Sequence, residues 1–167
     1  MKARLVDVGP MTLVGLSFFG DPFRFHGGWE EENEIGRLWA RFMAYYAEHG
    51  AEIRHAVDPG VMYEVHVEHA ETAQTGEFEV FVGLEVARLD ETPVELVIKR
   101  LPATRYVAFT MRGAEISSDW NQAMTEWMGQ AGYQRAYSYG FQRYDERFKG
   151  VEDLEGSVLE AYVPVKR

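Results

Sequence analysis

Apolar residues recur every three or four positions in two stretches of this chain, and each stretch predicts an amphipathic helix. Over residues 29–49, Ile35, Leu38, Trp39, Phe42 and Tyr46 fall on one stripe. Glu30, Glu31, Glu32 and Glu34 fill the first turns, where negative charge suits the positive end of the helix dipole, and Gly50 supplies a stop. Over residues 117–130 the stripe is Ile116, Trp120, Ala123, Met124, Trp127 and Met128. Ser117 or Ser118 is placed to cap this helix, and Gly129 and Gly132 weaken its end. Elsewhere the period falls to two. Residues 11–19, after Gly9-Pro10, are apolar and predict a buried strand. Asp58-Pro59-Gly60 is a turn, and residues 61–67 alternate behind it. A polar loop over 68–77 leads to a strand at 78–86, and residues 94–100, after Pro93, form a short edge strand or a loop. Strands at 104–112, 137–144 and 157–163 complete the set.

In chain order this is strand, helix, strand, strand, given twice. Tyr63-Glu64-Val65-His66 in the first unit stands where Phe141-Gln142-Arg143-Tyr144 stands in the second. Short links within each unit favour antiparallel pairing. One unit is too small to bury a sheet face alone, but two can merge. The expected fold is α+β: duplicated β-α-β-β units forming one antiparallel sheet, with two long helices on one face and a central groove between them. No linker divides the chain, so residues 1–167 are expected to form a single domain with pseudo-twofold halves at about 1–90 and 91–167.

Composition narrows the function classes. A chain that is 46% hydrophobic and 26% charged is globular, which excludes disorder. Acids outnumber bases 27 to 17, and a net charge of −10 repels phosphate backbones, so no direct nucleic-acid binding is expected. The absence of cysteine excludes disulfides, thiol catalysis and cysteine-based zinc sites. Asp7 breaks any signal-peptide core, and no apolar run approaches ~18 residues, so a cytoplasmic protein with no membrane partner is expected, as a monomer or weak dimer. The length leaves no room for a helix-turn-helix domain, so a regulatory role would need a separate partner. Aromatics reach 14% of the chain; most belong in a core, and the surplus suits an aromatic-lined cleft for a flat or cationic small molecule.

Several strings, in order, carry a further likeness. They are Leu38-Trp39 followed by Phe42, then Phe81-Val82-Gly83-Leu84-Glu85-Val86. Leu101-Pro102-Ala103 comes next, with Tyr106-Val107-Ala108-Phe109 shortly after, then Trp120 with Trp127. Phe141-Gln142-Arg143-Tyr144 and Tyr162-Val163-Pro164-Val165 close the set. Together they resemble the GyrI-like family, which includes the effector-binding domains of AraC- and MerR-type transcription regulators and free-standing homologues. The resemblance covers nearly the whole chain. It implies a small-molecule groove at the pseudo-twofold axis, where a glutamate in a Phe-Glu-x-Tyr setting recognises cationic aromatic compounds. Here Gln142 takes that position, and an amide can neither pair with a cation as an ion nor act as a general base.

Two other acids are candidates to stand in. Strand parity places Glu79, Phe81, Gly83 and Glu85 on one face and Val80, Val82, Leu84 and Val86 on the other. The second set is core, so the first faces solvent or the groove, with Gly83 leaving space for a ligand. Glu85 is thus either a solvated strand residue or the site's carboxylate; Glu64, beside Met62 and His66, fits a solvated position better. The ligand-binding candidates are Trp39, Glu64, Phe81, Glu85, Trp120, Gln142 and Tyr144, and the catalytic candidate, if there is catalysis, is Glu85. His66-x-x-His69, near Glu64, Glu68 and Glu71, has metal-binding residue types, but a strand entering a loop does not converge the imidazoles, and helical zinc-motif spacing is missing. No metal or cofactor is expected. His26, His49 and His55 are expected at the surface, and neither a phosphate loop nor Gly-x-Ser-x-Gly occurs.

The leading expectation is a module that binds aromatic or amphipathic, possibly cationic, small molecules. One alternative is a metal-free hydrolase of strained or activated electrophiles of the cyclopropanone type, with Glu85 activating water. The other is a protein-interaction domain that contacts gyrase or a regulator through its acidic surface.

Overall fold

The computed structural model describes residues 1–167 apart from His26 and Glu30; the expectations that placed His26 at the surface and Glu30 in an acidic first turn lie outside the described residues. The strands are β1 (Lys2–Val8), β2 (Met11–Gly20), β3 (Met62–Val67), β4 (Phe78–Glu85), β5 (Val97–Leu101), β6 (Thr104–Arg112), β7 (Gln134–Arg135), β8 (Tyr139–Tyr144) and β9 (Val158–Lys166). The α-helices are α1 (Glu34–His49), the single-turn α2 (Thr72–Thr75) and α3 (Trp120–Gln130).

Both long helices start later than the expected ranges, which began at residues 29 and 117, because side-chain caps set their first turns. Asn33 caps α1: its Oδ1 accepts from the Gly36 N–H at 2.9 Å while its Nδ2 donates to the Gly28 carbonyl at 2.9 Å. Glu31 and Glu32 therefore precede the helix, and only Glu34 sits in its first turn. Asp119, not Ser117 or Ser118, caps α3 by accepting from the Gln122 N–H. The two serine hydroxyls donate back to the carbonyls of Ala114 and Glu115.

The nine strands form one antiparallel sheet in the order β1-β6-β9-β8-β3-β4-β2-β5, with β7 added beside β9. The order reads as two equivalent halves meeting at β3 and β8. β1, which sequence patterning did not mark as a strand, edges the second half by pairing with β6; β5 edges the first by pairing with β2. These two pairings are one ribbon. Partners step without slip from Val8 opposite Thr104 to Met11 opposite Leu101, past Gly9-Pro10 on one side and Pro102-Ala103 on the other. The ribbon thus ties together the outer strands of both halves, and the sheet curls on itself.

Curling gives the sheet two cores. On the outer face, Leu38 and Phe42 of α1 pack over Val14, Val80, Val82 and Leu84, and Met124 and Met128 of α3 pack over Val107, Phe109, Leu159 and Val163. Both helices lie on this face. The inner face closes around Leu13, Tyr63, Val65, Phe81, Tyr106, Phe141 and Tyr162, without help from any helix. Phe141 stacks on Tyr162 with ring centroids 4.7 Å apart, and the Tyr106 and Tyr139 hydroxyls meet at 2.7 Å. The face holding Phe81, Gly83 and Glu85 therefore turns toward this inner core rather than toward solvent or a groove.

Gly83 serves backbone approach, not ligand access. It pairs with Gly15 across β4 and β2, and a Cβ at Gly83 would lie 2.1 Å from the Val14 carbonyl oxygen. Gly83→Ala is therefore expected to cost about 3 kcal/mol or more, read as a lower urea midpoint at unchanged slope. An alanine variant as stable as the parent would overturn this account of the glycine pair.

At one border of the inner core, Glu160 meets Arg4 at 3.0 Å and Arg147 at 3.5 Å, while Asp145 meets Arg147 at 2.7 Å and Arg143 at 2.5 Å. Hydrogen bonds from Arg147 first, and then from Arg143, outweigh burial and hold the Asp145 carboxyl well below the usual aspartate range. With the folded value below the unfolded one, this stabilisation is complete above the ordinary aspartate range and is lost as pH falls through the lowered value. Asp145→Asn is expected to cost about 2 kcal/mol at pH 7, and the gap to the parent should close as unfolding is followed toward low pH.

Candidate functional site

α1 lies over β2 and β4 and α3 over β6 and β9, so the central pair β3 and β8 is left with no helix above it. Alternation then presents Met62, Glu64 and His66 from β3, and Gly140, Gln142 and Tyr144 from β8, to the space between the helices. That space is a groove of about 1630 Å³. Trp39 and Met43 of α1 form one wall and Trp120 and Met124 of α3 the other, and Phe78 and Phe148 also line the space.

The floor is polar and buried. Glu64 pairs directly with Gln142 across the β3–β8 ladder, and the two are only 4% and 6% exposed. A carboxylate buried this far is costly unless it accepts hydrogen bonds. Trp39 Nε1 donates to its Oε2 at 2.6 Å, and His66 Nε2 contacts its Oε1 at 2.6 Å. The Tyr144 hydroxyl lies 3.4 Å from Glu64 Oε2 but 2.5 Å from Gln142 Oε1. It has one proton to give, and the shorter contact takes it. Burial first, and then the neighbouring Glu64 charge, push the Tyr144 phenol well above its usual range, so it remains a neutral donor. Trp39 stands edge-on to the Tyr144 ring, with centroids 4.9 Å apart.

Of the residues proposed from sequence, Trp39, Glu64, Trp120, Gln142 and Tyr144 converge on this groove. Phe81 and Glu85 do not. Phe81 is fully buried in the inner core. Glu85 borders a separate hollow of about 270 Å³ on the opposite side of the sheet, with Tyr63, Arg143 and Tyr162. It cannot reach a molecule held between the helices, because the sheet itself intervenes. Burial raises the Glu85 carboxyl against the opposing hydrogen bond from Tyr63, whose own phenol is pushed up to about 12 by burial first and by Glu85 second. Trp127 packs against Phe109 and stacks on Tyr133 away from the groove.

The expectation of a solvated Glu64 is overturned by its burial and its three polar neighbours. The signal was present in the pseudo-symmetry: Glu64 mirrors the position where the family's glutamate is expected. Sequence reasoning also treated His66 only as a possible metal ligand, whereas its ring packs on Phe78 (5.1 Å between centroids) and lines the groove.

The fold is shared with solved structures whose identity is low enough that they show the fold alone. SAV2435 bound to tetraphenylphosphonium aligns with a TM-score of 0.70 at 15% identity, over 99% of this chain and 94% of that one. An integron cassette protein from the mobile metagenome of Vibrio cholerae aligns with a TM-score of 0.60 at 17% identity, over 98% and 95%. The resemblance to GyrI-like effector-binding domains is borne out by a family match. The chain belongs to the family of integron-associated effector binding proteins, Cass2, whose profile matches residues 4–165. It is also 28% identical to the transcriptional regulator BrlR of Pseudomonas aeruginosa, over 99% of this chain but only 56% of that protein, so it spans about half the length of that relative. Among the described residues no helix is long and apolar enough to cross a membrane.

Because the folded Glu85 value lies above the unfolded one, its favourable contribution is present at low pH and is lost as pH rises through the folded value. Glu85→Gln is therefore expected to keep or raise the melting temperature at pH 7. A clear fall in melting temperature would contradict this.

Proposed function

We propose that the groove binds amphipathic aromatic monocations, with Glu64 as the counter-charge. The observation that carries this reading is one buried carboxylate at the floor of a large groove walled by indole, phenyl and thioether groups. A lipophilic cation would gain burial of its apolar surface against Trp39, Trp120, Phe78 and Met124. It would also gain cation–π attraction to the ring faces and Coulomb attraction to Glu64 in a water-poor setting. Of the other acids lining the groove, Glu31 is exposed, Glu68 pairs with Arg135 at 3.3 Å and Asp145 pairs with Arg147 at 2.7 Å, whereas Glu64 lies buried on the floor beside the neutral Gln142. The net charge of −10 adds a long-range field of the right sign. The tetraphenylphosphonium bound to SAV2435 and the regulator BrlR, of which this chain matches about half, support reading the module as the sensing part of a response to such compounds.

Titration of intrinsic tryptophan fluorescence with tetraphenylphosphonium tests this, since Trp39 and Trp120 both line the groove. Saturable binding is expected. Glu64→Gln, which keeps the shape and removes the charge, is expected to weaken binding about tenfold or more, while a neutral aromatic of equal bulk should lose little. Equal affinity of parent and variant for the cation, with the variant's melting curve showing it folded, would refute the assignment.

A further inference from the structure

The two halves of the floor are equivalent in backbone and unequal in chemistry. On the β3 side Glu64 accepts from Trp39 and contacts His66; on the β8 side its ladder partner Gln142 has its Oε1 occupied by the Tyr144 hydroxyl at 2.5 Å. That distance fixes which way the amide points. It suits an O–H···O bond and is too short for an amide N–H···O contact, so the oxygen faces Tyr144 and the NH₂ group is turned away from it. Among the described residues this NH₂ group donates to nothing. Yet among the described residues no side-chain nitrogen or oxygen that is fully cut off from solvent lacks a partner. The unspent donor therefore opens into the groove that Gln142 lines.

Building on the cation reading, we infer that Gln142 is a specificity-determining residue. It selects monocations that also carry a neutral hydrogen-bond acceptor, such as a carbonyl or ether oxygen, displaced from the charged centre by the ~5 Å that separates cross-strand partners. Glu64 holds the charge and Gln142 reads the acceptor. The pseudo-twofold axis lies between them, so a ligand with two equal ends matches this floor less well than one with two different ends. On the β8 side a second cationic centre meets the neutral amide of Gln142, since the groove-lining Asp145 is already held by Arg143 and Arg147, and a bare hydrocarbon arm would cover the NH₂ group without partnering it.

Pentyltriphenylphosphonium and (4-oxopentyl)triphenylphosphonium differ at one carbonyl and form the probe pair. The parent protein is expected to bind the ketone about fivefold more tightly by fluorescence titration. Gln142→Leu should bring that ratio to about one, with its melting curve showing the variant folded. Gln142→Glu should tighten both probes and reverse the ratio, because a carboxylate attracts the cation and repels the carbonyl oxygen. A ratio of one in the parent overturns the inference and needs no variant to be read. Binding of neither probe overturns the cation reading as well, whereas equal binding of both overturns only the role given to Gln142.

Discussion

The pairing of β3 with β8 is the constraint on which the rest depends. These strands are where the two halves meet, and they are the ones that neither long helix covers. Each half spends its helix on burying its own outer strands, because the apolar stripe of an amphipathic helix covers roughly a two-strand width. The uncovered pair needs polar or semi-polar side chains on its outer face, and it has Glu64, His66 and Gln142 there, with Tyr144 below Trp39. On its inner face the same pair must close a core with no helix, and Tyr63, Val65 and Phe141 do so. One ladder thus sets groove and core together, with residues one position apart assigned to opposite tasks.

Burying a carboxylate at that junction works against stability, and the surroundings show how the cost is offset. Trp39 reaches Glu64 from the helix, not from the sheet, so the α1 position and the charge on the floor are coupled through a 2.6 Å hydrogen bond. Movement of α1 relative to the sheet would remove a donor from a buried anion, which costs about 1–3 kcal/mol or more. The same contact that satisfies the site therefore also ties a helix to it. A ligand that competes for the carboxylate acts on that tie, which gives a groove of this kind a physical route from occupancy to a shift in helix packing.

Much of the fold was legible because alternation and helical spacing are strong where one face is buried. The boundaries of β6 and the starts of β2 and β4 follow from apolar runs and flanking turns. β1 escaped because charges interrupt its alternation: Lys2, Arg4 and Asp7 occupy a strand that is exposed along much of its length and lies at the sheet edge. The site was legible in part, through Trp39, Trp120 and the string Phe141-Gln142-Arg143-Tyr144. Glu85 and Phe81 misled for a definite reason. Parity separates the two faces of a strand but does not say which face is the site when both are buried, and the inner core exists only because the sheet curls through the β1–β2 and β5–β6 ribbon. That ribbon joins residues about a hundred positions apart, which no local pattern encodes.

The high aromatic content also divides by place. The inner core uses ring against ring, with Phe141 between Tyr63, Tyr106 and Tyr162, and the Tyr106 and Tyr139 hydroxyls satisfy each other. In the groove the polar tips of the aromatics serve the floor: the Trp39 indole goes to Glu64 and the Tyr144 hydroxyl to Gln142. Phenylalanine at either position would leave a buried acceptor without its donor, and at position 144 it would do so at nearly the same volume. The choice of tryptophan and tyrosine there follows from burying polar groups under an apolar groove.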